Sequence, residues 1–162
     1  MTKIKNEGPM NNSNFSTVQP LNTSTSDGNA IRVDYLFPFE KLEVWQLAKK
    51  LCISVYGISK KFPSNELYGL TSQINRAAIS VASNLAEGSS RTSQKDQAHF
   101  SQLAYSSLME AACQLSIVQE LGFVDAEKYA EIRGQIEGLS RKINALHRSQ
   151  KKRATGGKGQ NG

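Results

Sequence analysis

Apolar residues recur every three or four positions in four stretches of the chain, and no stretch sustains the two-residue alternation of a strand. The first stripe is Leu42, Trp45, Ala48, Leu51, Cys52, Val55 and Tyr56. It predicts a helix opening near Pro38, a residue suited to the first helical position, and stopped by Pro63 after Lys60 and Lys61. The second runs from near Ser64 through Leu67, Leu70, Ile74, Ala77, Val81 and Leu85 to Gly88. Ala77, Ala78, Ser80, Ala82 and Ser83 line it, so a neighbouring helix can approach closely. The third opens on Ser93-x-x-Asp96, a capping-box-like arrangement. It carries Phe100, Leu103, Ser107, Leu108, Ala111, Leu115 and Val118, and ends at Gly122. The fourth, capped by Asp125, places Tyr129, Ile132, Ile136, Leu139, Ile143 and Leu146 in an unbroken three-four seam.

Four amphipathic helices joined by short loops predict an all-α fold, an up-down-up-down antiparallel four-helix bundle over residues 37–148. Residues 1–36 are rich in Asn, Ser, Thr and Gly with few apolar side chains, and predict a flexible arm. Residues 149–162 predict a basic, flexible tail.

Charge sharpens that division. Of the net +6, residues 148–162 supply five basic side chains (Arg148, Lys151, Lys152, Arg153 and Lys158) and no acid, whereas residues 37–147 are nearly balanced. A basic end attracts phosphate polyanions by counterion release, so Arg148, Lys151, Lys152 and Arg153 are the first candidates for nucleic-acid contact. Arg76, Arg91 and Lys95 follow. Aromatics make up only 7% of the chain and several fall on apolar stripes, which argues for backbone contact rather than base stacking. No apolar run approaches the roughly 20 residues of a membrane helix, and no secretory apolar core follows Met1 or Met10. The expectation is a cytoplasmic protein without membrane contact.

Catalytic chemistry finds little support in these residues. In SNLAEGSSRTSQKD, residues 83–96, Asn84 and Glu87 share a helix face. With Glu110 they read as a hydrogen-bonded structural brace, since no nucleophile or base joins them at a motif spacing. A carboxylate-bridged metal pair needs Glu-x-x-His on two helices. The chain offers only Asp96-x-x-His99 and Asn144-x-x-His147, one in a first turn and one in a last turn, so no metal, other cofactor or small-molecule substrate is expected. Gly156-Gly157-Lys158-Gly159 lacks the spacing of a phosphate loop. Cys52 and Cys113, 61 positions apart, read as free thiols.

The segments LEVWQLAKKL (42–51), FPSNELYGLTSQINRAAISVASNLAEGSSR (62–91), Gln114-Leu115 and Leu121-Gly122 together resemble the bacterial four-helix bundle family named after 23S rRNA intervening sequences. The family's RRA is here Asn75-Arg76-Ala77. The resemblance covers about residues 39–147. It implies a bundle that assembles into a ring, typically a homopentamer, with no established enzymatic activity. It also implies relatedness to the accessory variability determinant proteins of diversity-generating retroelements, which are basic pentamers that bind nucleic acid and a reverse transcriptase. The expectation is therefore a non-enzymatic accessory protein that binds RNA or DNA through the phosphate backbone, with a reverse transcriptase as a further partner. The alternative is a protein-interaction scaffold with no direct nucleic-acid role.

Overall fold

A computed structural model describes residues 35–156. The expected arm over 1–34 and the last six residues of the expected tail lie outside the described residues. Within them are four α-helices: α1 (Glu43–Ser59), α2 (Leu70–Ser90), α3 (Gln94–Glu120) and α4 (Ala126–Gly156), with single 3-10 turns at Pro38–Lys41 and Ser64–Glu66. No strand occurs among the described residues.

Each helix packs on two others. α2 and α4 flank both α1 and α3, and the backbones of the two diagonal pairs stay apart among the described residues. Cross-helix bonds give the direction. Between α2 and α3, Arg76 pairs with Glu110 and Ser80 with Ser107, so advancing four residues along one helix retreats three along the other. Between α1 and α4, Lys142 pairs with Glu43 and Gln135 with Ser54. The bundle is thus up-down-up-down and antiparallel, as the pattern predicts.

The core follows the stripes closely on three helices. Leu51 and Val55 of α1, Ile74, Val81 and Leu85 of α2, and Ile132, Ile136, Leu139 and Ile143 of α4 are all buried. Each Leu or Ile withdrawn from water this way contributes about 1.5–3 kcal/mol. α3 departs from its predicted stripe. Leu103 is exposed, while Ala98, Ser101, Ala104 and Gln114 turn inward beside Leu108, Ala111, Leu115 and Val118. α3 lies close against α2 there, and Ser101 meets Gln150 of α4. A Cβ on Gly88 would come within 2.9 Å of the Phe100 Cβ. Gly88, expected as a helix end, therefore sits inside α2 as a packing residue, and the helix continues to Ser90.

Helix ends show where local signals held and where packing overrode them. Ser93 caps α3 by accepting a hydrogen bond from the Asp96 amide (3.2 Å), and Asp125 caps α4 by accepting one from the Lys128 amide (2.7 Å). Gly122 ends α3 with φ 74°. Its amide bonds the Gln119 carbonyl and the Phe123 amide bonds the Val118 carbonyl, both at 2.9 Å, which is a Schellman closure. The first two helices start later than expected. Leu42 is extended and separates the Pro38 turn from α1, because Phe39 seats edge-on against Trp45 at 4.8 Å and the Gln46 side chain bonds back to the Glu40 carbonyl. α2 likewise starts at Leu70, whose amide is taken by the Glu66 carboxylate (3.2 Å). The largest departure is at the other terminus: α4 runs to Gly156, eight residues past the boundary expected at 148.

Candidate nucleic-acid interface

The helical extension of α4 is made by residues that propagate helix well, Gln150, Lys151, Lys152, Arg153 and Ala154. Its cations lie where the negative end of the helix dipole favours them. Two contacts pin it to α3. Ser101 donates to the Gln150 Oε1 at 2.7 Å, both groups being buried, and His147 Nδ1–H donates to the Ala98 carbonyl at 2.9 Å. Residues 149–156 of the expected flexible tail are thus helical, through local helix propensity and through the buried partner that Gln150 finds on α3.

Fixing this segment as a helix distributes its charges. Gln150 faces inward; Arg148 and Lys152, four apart, share the opposite, exposed side. Lys151 leans over a groove shared with α3, and Arg153 borders a separate cavity of about 310 Å³ with Pro38, Leu42, Gly88 and Gln97. The arc is cationic around more than half of the helix. Among the described residues none of the four has a carboxylate partner, and Arg153 donates only to the Ser149 hydroxyl (2.9 Å). From Gly138 to the end of α4 there is no acidic residue. Unpaired, solvated cations cost little to redirect onto phosphate, whereas a cation already held by a carboxylate must first give it up.

That distinction sorts the weaker candidates. Lys95, in the first turn of α3, lines the groove with Lys151, so the structure brings these two predicted residues together. Arg91, at the α2–α3 turn of the same end, is committed twice: its guanidinium pairs with Glu87 and lies 4.7 Å from the Phe100 ring centroid. Arg76 is 15 residues earlier on α2, about 22 Å along its axis, and faces Glu110 at 3.9 Å. It is not part of the basic end.

The predicted brace divides into three separate contacts. Asn84 donates to the Ser80 carbonyl (2.8 Å) and hydroxyl (3.1 Å), and Ser80 meets Ser107 of α3 at 2.9 Å. Glu87 bonds Arg91, and Glu110 meets Arg76 and Gln114. Two of these contacts cross from α2 to α3: Arg76 with Glu110, and Ser80 with Ser107, a pair that carried no distinctive motif. Both carboxylates are exposed, where an ion pair contributes about 0–1 kcal/mol.

Other chemistry is sparse. Among the described residues no three His, Cys, Asp or Glu side chains cluster to hold a metal ion, and no helix is long and apolar enough to cross a membrane. Cys52 and Cys113 are both free thiols. Burial pushes the Cys52 thiol up from its ordinary value, which keeps it protonated and unreactive at neutral pH.

What sequence reasoning missed is the company His99 and His147 keep. Weighed from the sequence only as metal ligands, they line the same groove as Lys95 and Lys151. Lys95, His99 and Gln102 follow helical spacing, as do His147, Lys151 and Thr155, but nothing in the chain says that the two faces oppose.

A family model described as 23S rRNA-intervening sequence protein matches residues 40–145. No curated protein matches the chain.

Proposed function

The chain belongs to the 23S rRNA-intervening sequence protein family, and from that premise we propose that it is a non-enzymatic accessory protein that binds the phosphate backbone of RNA or DNA through the end of α4. One observation carries this reading: Arg148, Lys151, Lys152 and Arg153 stand on an ordered helix, with no carboxylate partner among the described residues and no acid nearby along that helix. Ordering matters, because a pre-formed cationic helix need not lose chain entropy on binding. In this reading the protein acts as a ring of identical copies, typically five, which gathers the basic ends into one rim. Linked weak contacts then raise apparent affinity by orders of magnitude. A reverse transcriptase bound to the same assembly is the further partner it proposes.

The test replaces those four residues together with Gln, which keeps helix propensity and leaves Gln150 packed on Ser101. Truncation after His147 would remove that buried bond and confuse folding with binding. In a filter-binding titration with structured RNA at moderate salt, affinity falls about a hundredfold, and the slope of log K against log salt loses up to about 3. Unchanged affinity and slope would remove the α4 end from the function.

A second reading, a protein-interaction scaffold, draws on exposed Leu103, Met109 and Ile117 along α3. It predicts no salt-dependent retention on an RNA column.

A further inference from the structure

The bond that docks α4 on α3 forms part of the wall of the cavity that Arg153 borders, whose volume of about 310 Å³ is at the lower end of the roughly 300–1,000 Å³ of ligand sites. Four parts of the chain enclose it. Pro38 and Leu42 form one side, the end of α2 another, and the first turns of α3 and the last turns of α4 the rest. Leu42, Leu85 and Leu146 give it apolar faces, and Ser101 and Gln150 are polar groups buried in its wall. Among the described residues no acid lines it. Glu40, in the same turn as Pro38, is outside the lining and spends its carboxylate on the Phe37 amide (2.8 Å).

Most polar groups of the lining have already spent their protons: Ser89 on the Ala86 carbonyl (2.7 Å), Gln97 on the Arg91 carbonyl (2.7 Å) and Ser101 on Gln150. Two donors have not. Gln150 is only 7% exposed; its Oε1 accepts from Ser101, but its Nε2, with two N–H groups, has no hydrogen-bond partner among the described residues. A buried donor without an acceptor has lost its hydration for nothing, so an acceptor inside the cavity is favoured. Arg153, exposed at the rim, commits one of its five N–H groups to the Ser149 hydroxyl and keeps the others. A carboxylate suits both donors, since its two oxygens can meet the planar guanidinium and still accept from an amide.

We propose that this cavity binds a small amphipathic carboxylate, its apolar body among Leu42, Leu85 and Leu146 and its carboxylate between Gln150 Nε2 and the Arg153 guanidinium. Among the described residues no His, Cys, Asp or Glu lines the cavity to activate a nucleophile, so the molecule is held and not converted. It is an effector, not a substrate. The proposal stands apart from the nucleic-acid reading: it uses one residue of the basic end, and its test contains no nucleic acid.

The experiment is heteronuclear NMR of the isotope-labelled full chain, titrated to millimolar concentration with phenylbutyrate and indoleacetate and, in parallel, with the matching alcohols phenylbutanol and tryptophol. At least one acid shifts the Gln150 side-chain amide resonances and binds at least about tenfold tighter than its alcohol. Arg153→Gln weakens that acid at least about tenfold, the loss of a charge-assisted hydrogen bond. Lys152→Gln removes the same charge one position away, outside the lining, and weakens it about twofold at most. Leu42→Trp fills the cavity and abolishes the shifts. Arg153 and Lys152 are both exposed, so their comparison decides the matter whether or not L42W folds. Equal losses in R153Q and K152Q, equal binding of acid and alcohol, full binding by a folded L42W, or no shift at Gln150 with either acid overturns the site.

Discussion

At the end where α1 turns into α2 and α3 into α4, Phe62 packs on Phe123 with ring centroids 5.6 Å apart, and buried Val124 adds to the same core. At the opposite end, where α2 turns into α3 and α4 runs out to Gly156, the buried contact is Ser101 donating to Gln150, with His147 held to the Ala98 carbonyl beside it. One end is shut by apolar rings and the other by directed polar bonds. The difference teaches how a bundle with an apolar core can still present chemistry. An apolar seal excludes charge, since a charge brought against it loses hydration without compensation. A hydrogen-bonded seal tolerates polar neighbours, and around it stand Lys95, His99, Lys151 and Arg153.

The contrast breaks most visibly at the aromatic end. Phe62→Ala removes a ring that is only 8% exposed and should cost about 3–5 kcal/mol, read as a lowered urea midpoint with unchanged slope. RNA affinity measured below the new midpoint should not move, because no basic residue of the α4 end touches that seal. A matching loss of affinity would show that the two ends are not separable.

Ser101→Ala probes the polar end. It leaves the Gln150 carbonyl oxygen buried without its donor, so stability should fall by about 1–3 kcal/mol. The loss should concentrate locally. Amide hydrogen exchange should speed up over the last two turns of α4 before it does in the Ile132–Ile143 core, and a uniform loss of protection would refute a separate polar seal.

Gly122→Ala has the smallest effect. At φ 74° no side chain would clash, so the cost is the left-handed backbone alone, about 1 kcal/mol. A Gly122→Asn variant should recover part of it, since Asn tolerates that conformation better than Ala. Equal midpoints for the two variants would mean that the Schellman closure contributes little to this end.

How much of this was legible from the chain varies with the range of the interaction. Ser93 and Asp125 announce their helix starts because a cap acts within three residues, and Gly122 announces an end for the same reason. The α1 and α4 stripes are legible because a single helix face decides them. The α3 face was harder: it carries apolar residues on several sides, and packing against both α2 and α4 turns Ala104 and Ser101 inward while Leu103 stays exposed. The starts of α1 and α2 were misplaced because Phe39 on Trp45 and Glu66 on the Leu70 amide are contacts that helix propensity does not encode.

The sequence by itself determined that there are four helices, which stripes α1, α2 and α4 bury, their antiparallel order through short connections, and that positive charge gathers near residues 148–153. All of these depend on periodicity or on neighbours a few positions apart. Tertiary structure alone decided that this end of α4 docks on α3, through a bond between Ser101 and Gln150, 49 positions apart. It also decided that two histidines 48 positions apart face one groove. Such pairings depend on the rotation and register of one helix against another, which side-chain packing sets and local pattern does not.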